Sequence, residues 1–445
     1  MRENRERNDR IPHILDEPMD IRISYGTYGV LEIKSTSLVN VVGFPGSDVA
    51  PIEDVNAAVR EALDHPLELP ALARCVTPGD RVVLALRRGT PRGAEILAAV
   101  TRYLLPHLST EGQLTVLRTE SDETAGWGDP RPFLSAEEAQ ALEVRTHRAD
   151  RQEELTLLAR FRNGRPLRLN RALIDADVVI PVGCTPPGKA WSAYGTSGAV
   201  FPAFSDRMSQ LAHWRDVVQK ARRGKGPLPE HRDRSGREAN WLLGTQFAVE
   251  VIPGPCGSVL RIVAGATEAA RRTAREEYRR WWCPTVDGKA ELVIAGVDHN
   301  PSHTPWENLA QAAWTAARLV RRGGQIILVT DWDQGTIPRL IDENSLAEVS
   351  GIWSWSDFLQ THGDLAVPFW LLARVRRYAR VCLWTAQSLA DESLSGWRER
   401  LSLETTSGEA VINRLVNRVD SCTVFSHASL AWPRVSRGAT LRGAG

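Results

Sequence analysis

The residues that come closest to spelling out a chemistry are Gly183-Cys-Thr-Pro-Pro-Gly188-Lys189-Ala190. They follow the apolar run Ala176–Val182 and approximate the phosphate loop GxxxxGK[ST]. In that motif successive backbone N–H groups and a helix N-terminus converge on phosphate oxygens. Two departures count against nucleotide binding through Gly183–Lys189. Ala190 stands where a hydroxyl should hold magnesium, and Trp191–Pro202 contains Gly195, Gly198 and Pro202, which suit a helix poorly. The adjacent prolines also remove N–H donors that the loop would need. A second constellation is His299-Asn-Pro-Ser-His303, whose i, i+4 histidines would share one face of a helix and could ligate a metal. Pro301 and Pro305 argue instead for a turn leading into a helix near Glu307. His299 and His303 are therefore weak metal candidates only, His213 reads as an isolated structural histidine, and no metal is expected. No GxSxG, HExxH or GxGxxG motif occurs. The fifteen tryptophans read as core or interface anchors before cofactor stackers.

Positioning such residues falls to short apolar, β-branched runs that alternate with helical patterns. Strands are expected at Arg81–Leu86, Gln113–Thr119, Val178–Gly183, Phe247–Ile252, Val259–Ala264, Glu291–Ala295, Gln325–Thr330 and Cys422–Ser426. Helices are expected at Val55–Leu63, Ala94–Leu105, Thr267–Trp282, Glu307–Arg321 and Glu409–Val419. The alternation implies an α/β protein with largely parallel sheets. Arg322-Gly323-Gly324 is the expected stop of the Glu307 helix. Lys220–Arg237, basic and rich in Gly and Pro, is expected to be a solvated surface loop.

A chain of 445 residues exceeds one ordinary core. Two domains are expected, residues 1–282 and 283–445, with an interdomain cleft. Hydrophobic content of 42% and a net charge of +1 describe a globular protein with no global attraction to nucleic acid or to a membrane. Six scattered cysteines without a CxxC pair, and a charged N-terminus unlike a signal peptide, point to a cytoplasmic protein.

Several segments, taken in order, resemble the nickel-pincer lactate racemase family. They are Ile23–Val30 with Tyr25-Gly26, Val55–Pro66, Pro70-Ala-Leu72, Gly79–Val83, Asn163–Asn170, Ala176–Gly183, Glu307–Gln311, Gly323–Val329 and Val419–Pro433. Each is weak alone, but their order and spacing span nearly the whole chain. The resemblance implies two α/β domains with the active site in the cleft between them. It also implies a nickel ion in a pyridinium mononucleotide anchored to a lysine, with two histidines exchanging protons with a hydroxy acid and a third ligating nickel.

Carried over position by position, that site is largely gone. Pro187, Gly195 and Pro202 keep the register, but a catalytic histidine becomes Gly188 and the anchoring lysine becomes Gly198. The nickel-ligand position falls on Trp214, or on His213 with a one-residue gap. The other histidine's turn falls near Glu120–Thr124, which has none. The substrate-gripping turn becomes Arg87-Arg88-Gly89-Thr90-Pro91-Arg92. Gln311 is kept, while a lysine becomes Trp314. The expectation is a homologue without the nickel-pincer cofactor or racemase activity. It would bind a small carboxylate or other anion through Arg87, Arg88, Thr90, Arg92, Lys189 and Gln311. The alternatives are an active α-hydroxy-acid racemase or epimerase with relocated groups and, less favoured, nucleotide binding.

Overall fold

A computed structural model describes residues 14–37, 39–185, 195–223, 234–332, 366–386 and 404–436. Two six-stranded sheets organise the chain. The first runs, edge to edge, Val259–Ala266, Phe247–Pro253, Val178–Cys184, Arg81–Leu86, Gln113–Thr119 and Leu142–His147. Every neighbouring pair is parallel except the antiparallel Phe247–Pro253/Val259–Ala266 edge. The second runs Glu404–Ser407, Arg380–Thr385, Val320–Thr330, Ala290–Gly296, Cys422–Phe425 and Val39–Val41, parallel throughout. Parallel strands need crossovers that cover both faces, so their sequences are near-continuous apolar runs. Val82–Leu86 and Ile326–Val329 are such runs, and all their residues are buried. The α/β class expected from the alternation is the one the chain adopts.

The helices Val55–Asp64 and Gly93–Leu104 pack on one face of the first sheet through Val59, Leu63, Ile96 and Val100. The helix Thr267–Trp282 lies against the same sheet's antiparallel edge and carries the contact to the second lobe. Its Tyr278 hydroxyl donates to Leu430 O, and Trp282 Nε1 donates to Pro253 O at 3.0 Å. Trp282, Trp214, Trp306 and Trp314 share one core cluster with residues of both sheets.

Four local findings depart from the sequence reading. The N-terminal hairpin Ile14–Tyr25/Gly29–Ser37 buries Ile23, Leu31 and Ile33 against Ile294 and Ile327, and Val39–Val41 is the edge strand of the second sheet. The start of the chain thus joins the second sheet, which a division at Trp282 does not anticipate. The helix expected to end at Arg322-Gly-Gly324 stops at Leu319. Gly323, at φ 80°, sits where the Val320–Thr330 strand shifts register against Ala290–Gly296. Part of the supposed basic loop is helical: Arg207–Arg223 is one helix and Ser235–Leu243 another, with 224–233 outside the described residues. Among the described residues, no helix is long and apolar enough to cross a membrane.

Candidate functional site

In open parallel sheets, ligand clefts form beyond the C-terminal strand ends. Arg81–Leu86 ends there in the turn 87–92, before the helix Gly93–Leu104. The turn is tight. Thr90 Oγ1 donates back to Arg87 O at 2.6 Å, and Gly89 takes φ 83°. A Cβ at Gly89 would overlap the His303 ring, so glycine is needed both for the angle and for the close approach. Arg87, Arg88 and Thr90 are buried. Together with Leu86, Asp122, Trp127, Phe133 and Pro301 they line a cleft of about 290 Å³.

Pro301 and Ser302 also line the cleft, and they lead into the helix Pro305–Leu319. Thr304 caps it and Glu307 closes a capping box, with Glu307 Oε2 accepting from Thr304 N–H at 2.8 Å. The other oxygen, Oε1, accepts from Arg88 Nη2 at 2.5 Å, and both side chains are almost completely buried. One residue thus caps a helix of the second lobe and neutralises an arginine of the first. Burial alone would raise the Glu307 carboxyl, but Arg88, His303 and the Thr304 N–H outweigh it and hold it below its ordinary range. His303 sits beside this pair, with Nδ1 3.2 Å from Asn300 Nδ2 and 3.3 Å from Asn308 Oδ1. Burial, with Arg88 and Arg87 nearby, pushes it down toward the neutral imidazole.

Arg92 has a different fate from the one expected. At φ 51° it precedes the Gly93–Leu104 helix. Its guanidinium is held by both Glu95 oxygens at 2.6 and 2.7 Å and by Ile52 O at 2.6 Å. It ties the turn to Glu95 and Ile52 while still lining the cleft.

The sequence reading passed over Asp122. It lies in the turn Glu120–Thr124, where the resemblance placed a histidine. Thr119 N–H and Oγ1 donate to its Oδ2 at 3.0 and 2.5 Å, in a second capping box. Oδ1 is buried without a hydrogen-bond partner, and the residue lines the cleft. Burial pushes its carboxyl up, opposed by Thr119, Arg88 and Arg87. The Thr119-x-x-Asp122 spacing was a legible capping signal, but the orphaned oxygen was not.

The remaining expected residues scatter. Gly188 and Lys189 lie outside the described residues. Gly198 is buried in the 3-10 turn Thr196–Ala199, its N–H donating to Gly195 O. Residues 186–194, where a phosphate loop would lead into its helix, lie outside the described residues. The space beside Gly183 is taken by Gly195 and Thr196, which an added Cβ would meet at about 3 Å. Glu250, buried on Phe247–Pro253, accepts from Thr185 Oγ1 at 3.2 Å and from Thr196 Oγ1, and so ties those two segments together. Burial raises its carboxyl. Gln311 is buried in its helix. Trp314 lies in the core with its ring 4.7 Å from that of Trp432. His213 is enclosed by the rings of Phe201 and Trp214. His299 is exposed, whereas His303 stands by Arg88 and Glu307, so the i, i+4 pair does not form a shared site. Among the described residues, no group of three or more His, Cys, Asp or Glu could hold a metal ion.

Comparison with known proteins accounts for this architecture. Residues 25–225 match the model of the lactate racemase N-terminal domain. That stretch is therefore lactate racemase-like. The chain's fold extends that match over both lobes. The structure of the lactate racemase apoprotein from Thermoanaerobacterium thermosaccharolyticum superposes with a TM-score of 0.66 at 14% identity, covering 94% of this chain and 100% of that one. A Thermotoga maritima protein solved by structural genomics superposes with a TM-score of 0.56 at 14% identity, covering 86% and 98%. No curated protein matches in sequence. The chain therefore shares the fold of the lactate racemase apoprotein, and Arg88–Glu307 ties its 87–92 turn to the Pro305–Leu319 helix.

Proposed function

We propose that this chain is a lactate racemase-like protein without nickel-pincer racemase activity that binds a small carboxylate in the cleft between its lobes. The observation that carries the reading is the cleft itself. Two adjacent buried arginines, Arg87 and Arg88, and Thr90 line a cavity that also exposes the apolar Leu86, Trp127, Phe133 and Pro301, beside the Arg92–Glu95 pair and Asp122. A carboxylate end for the guanidiniums and an apolar body for the indole and phenyl rings match that lining. At about 290 Å³ the cavity is near the lower bound of small-molecule sites, roughly 300–1,000 Å³.

The residues present do not fit the family's cofactor. Gly198 offers no amine for a covalent anchor, and Trp314 is packed into the core. His213 is enclosed by aromatic rings. Glycine neither ligates nickel through a side chain nor transfers a proton, and loss of one acid–base group alone costs roughly two to four decades of rate. Racemisation by relocated histidines is not favoured either, because among the described residues no histidine lines the cleft.

Calorimetric titration with 3-phenylpropionate and with lactate tests the reading. Phenylpropionate is expected to bind and lactate to bind more weakly. Arg87→Gln, with its melting temperature as a fold control, is expected to lose most of the phenylpropionate affinity. No binding of either acid, or binding unchanged in Arg87→Gln, would overturn it.

A further inference from the structure

The oxygen left without a partner in the cleft points to a narrower ligand class. Asp122 is 1% exposed, and its Oδ2 is fully occupied by Thr119 while Oδ1 meets no donor. A buried carboxylate oxygen without a donor is costly, and the cost disappears if a ligand brings one. The same cleft holds Arg87, Arg88 and Thr90. Charge selects among the donors a carboxylate ligand could carry. Arg88 pairs with Glu307, and Asp122 lies within the field of both arginines. An ammonium donates to a carboxylate oxygen as a charged group, and so more strongly than a hydroxyl, which favours a zwitterion over a hydroxylated or plain carboxylate.

We infer that the cleft takes α-amino carboxylates, with the ligand carboxylate toward the Arg87–Arg88 turn, its ammonium donating to Asp122 Oδ1 and its side chain against Trp127 and Phe133. The inference rests on the carboxylate reading above and narrows it. Asp122 then acts as the specificity-determining residue. The ammonium supplies the partner that burial withholds, and it stabilises the ionised carboxylate that burial disfavours.

Three probes on one skeleton separate the possibilities: phenylalanine, phenyllactate and 3-phenylpropionate, titrated into the full-length protein. A hydrogen bond from a charged donor corresponds to about tenfold or more in affinity. Phenylalanine is therefore expected to bind at least about tenfold tighter than phenylpropionate. Asp122→Ala is expected to erase that ratio while leaving phenylpropionate binding in place. Should Asp122→Ala unfold the turn, Asp122→Asn keeps an acceptor for Thr119. It presents an amide donor to the ammonium, so the phenylalanine advantage should again vanish. Phenyllactate binding as tightly as phenylalanine, or a phenylalanine advantage that survives in the variants, overturns the inference. Phenylpropionate binding as well as phenylalanine sinks it while sparing the carboxylate reading, and if none of the three binds, both fall.

Discussion

Replacing Arg88 by Met, or Glu307 by Gln, removes half of a buried charge pair that joins the 87–92 turn to the Pro305–Leu319 helix. The side chains are 1% and 0% exposed and meet at 2.5 Å, so water can neither screen the pair nor replace a lost partner. Breaking such a pair from one side costs about 3–5 kcal/mol, chiefly from the stranded charge. Glu307→Gln still closes the capping box, since glutamine serves at that position, so its cost reports Arg88 alone. The double variant removes both charges of the pair, so neither strands the other. It is expected to be at least about 2 kcal/mol more stable than the sum of the single losses implies. Urea unfolding followed by tryptophan fluorescence measures all four corners of the cycle. The pH dependence has a definite sign. Glu307 is held below its unfolded value of 4.5, so its contribution is present above that pH and is lost as pH falls through the lower folded value. The gap between wild type and Glu307→Gln should therefore close in acid. Single losses below about 1 kcal/mol, or additivity within about 0.5 kcal/mol, would refute a tightly coupled buried pair.

Two further substitutions test the site's supports. Gly89→Ala places a Cβ at φ 83° and into the His303 ring, so it should destabilise by more than about 1 kcal/mol in the same unfolding assay, and His303→Ala should recover part of the loss. Glu250→Gln acts in the opposite sense. The Glu250 carboxyl is raised above 4.5 in the fold, so its contribution is fully present below that pH and is lost as pH rises through the folded value. The glutamine variant should melt higher than wild type at pH 7 and no higher near pH 4, and a lower melting temperature at pH 7 would contradict that.

What the sequence disclosed follows from how local each feature is. Thr267–Trp282 appears with both its ends as expected, because the pattern of Ala270, Ala274, Tyr278 and Trp282 is a local helical stripe. The central strands are equally legible, since a strand covered on both faces is a continuous apolar run. The N-terminal hairpin was not placed, because its pairing with the second sheet spans most of the chain and leaves no short-range trace. Glu307 shows the same limit within one residue. Thr304-x-x-Glu307 reads as a capping box, but the Arg88 that takes its other oxygen lies 219 residues away. Arg92 was assigned to the ligand although Glu95, three residues on, already held it.

The absence of the pincer cofactor is tested most directly by co-expressing the chain with the enzymes that make that cofactor, then measuring intact mass and nickel on the same purified sample. With Gly198 at the anchoring position, the mass should equal that of the unmodified chain and nickel should fall far below one ion per chain. A mass increment matching the mononucleotide, together with stoichiometric nickel, would contradict this and restore the chain to the pincer enzymes.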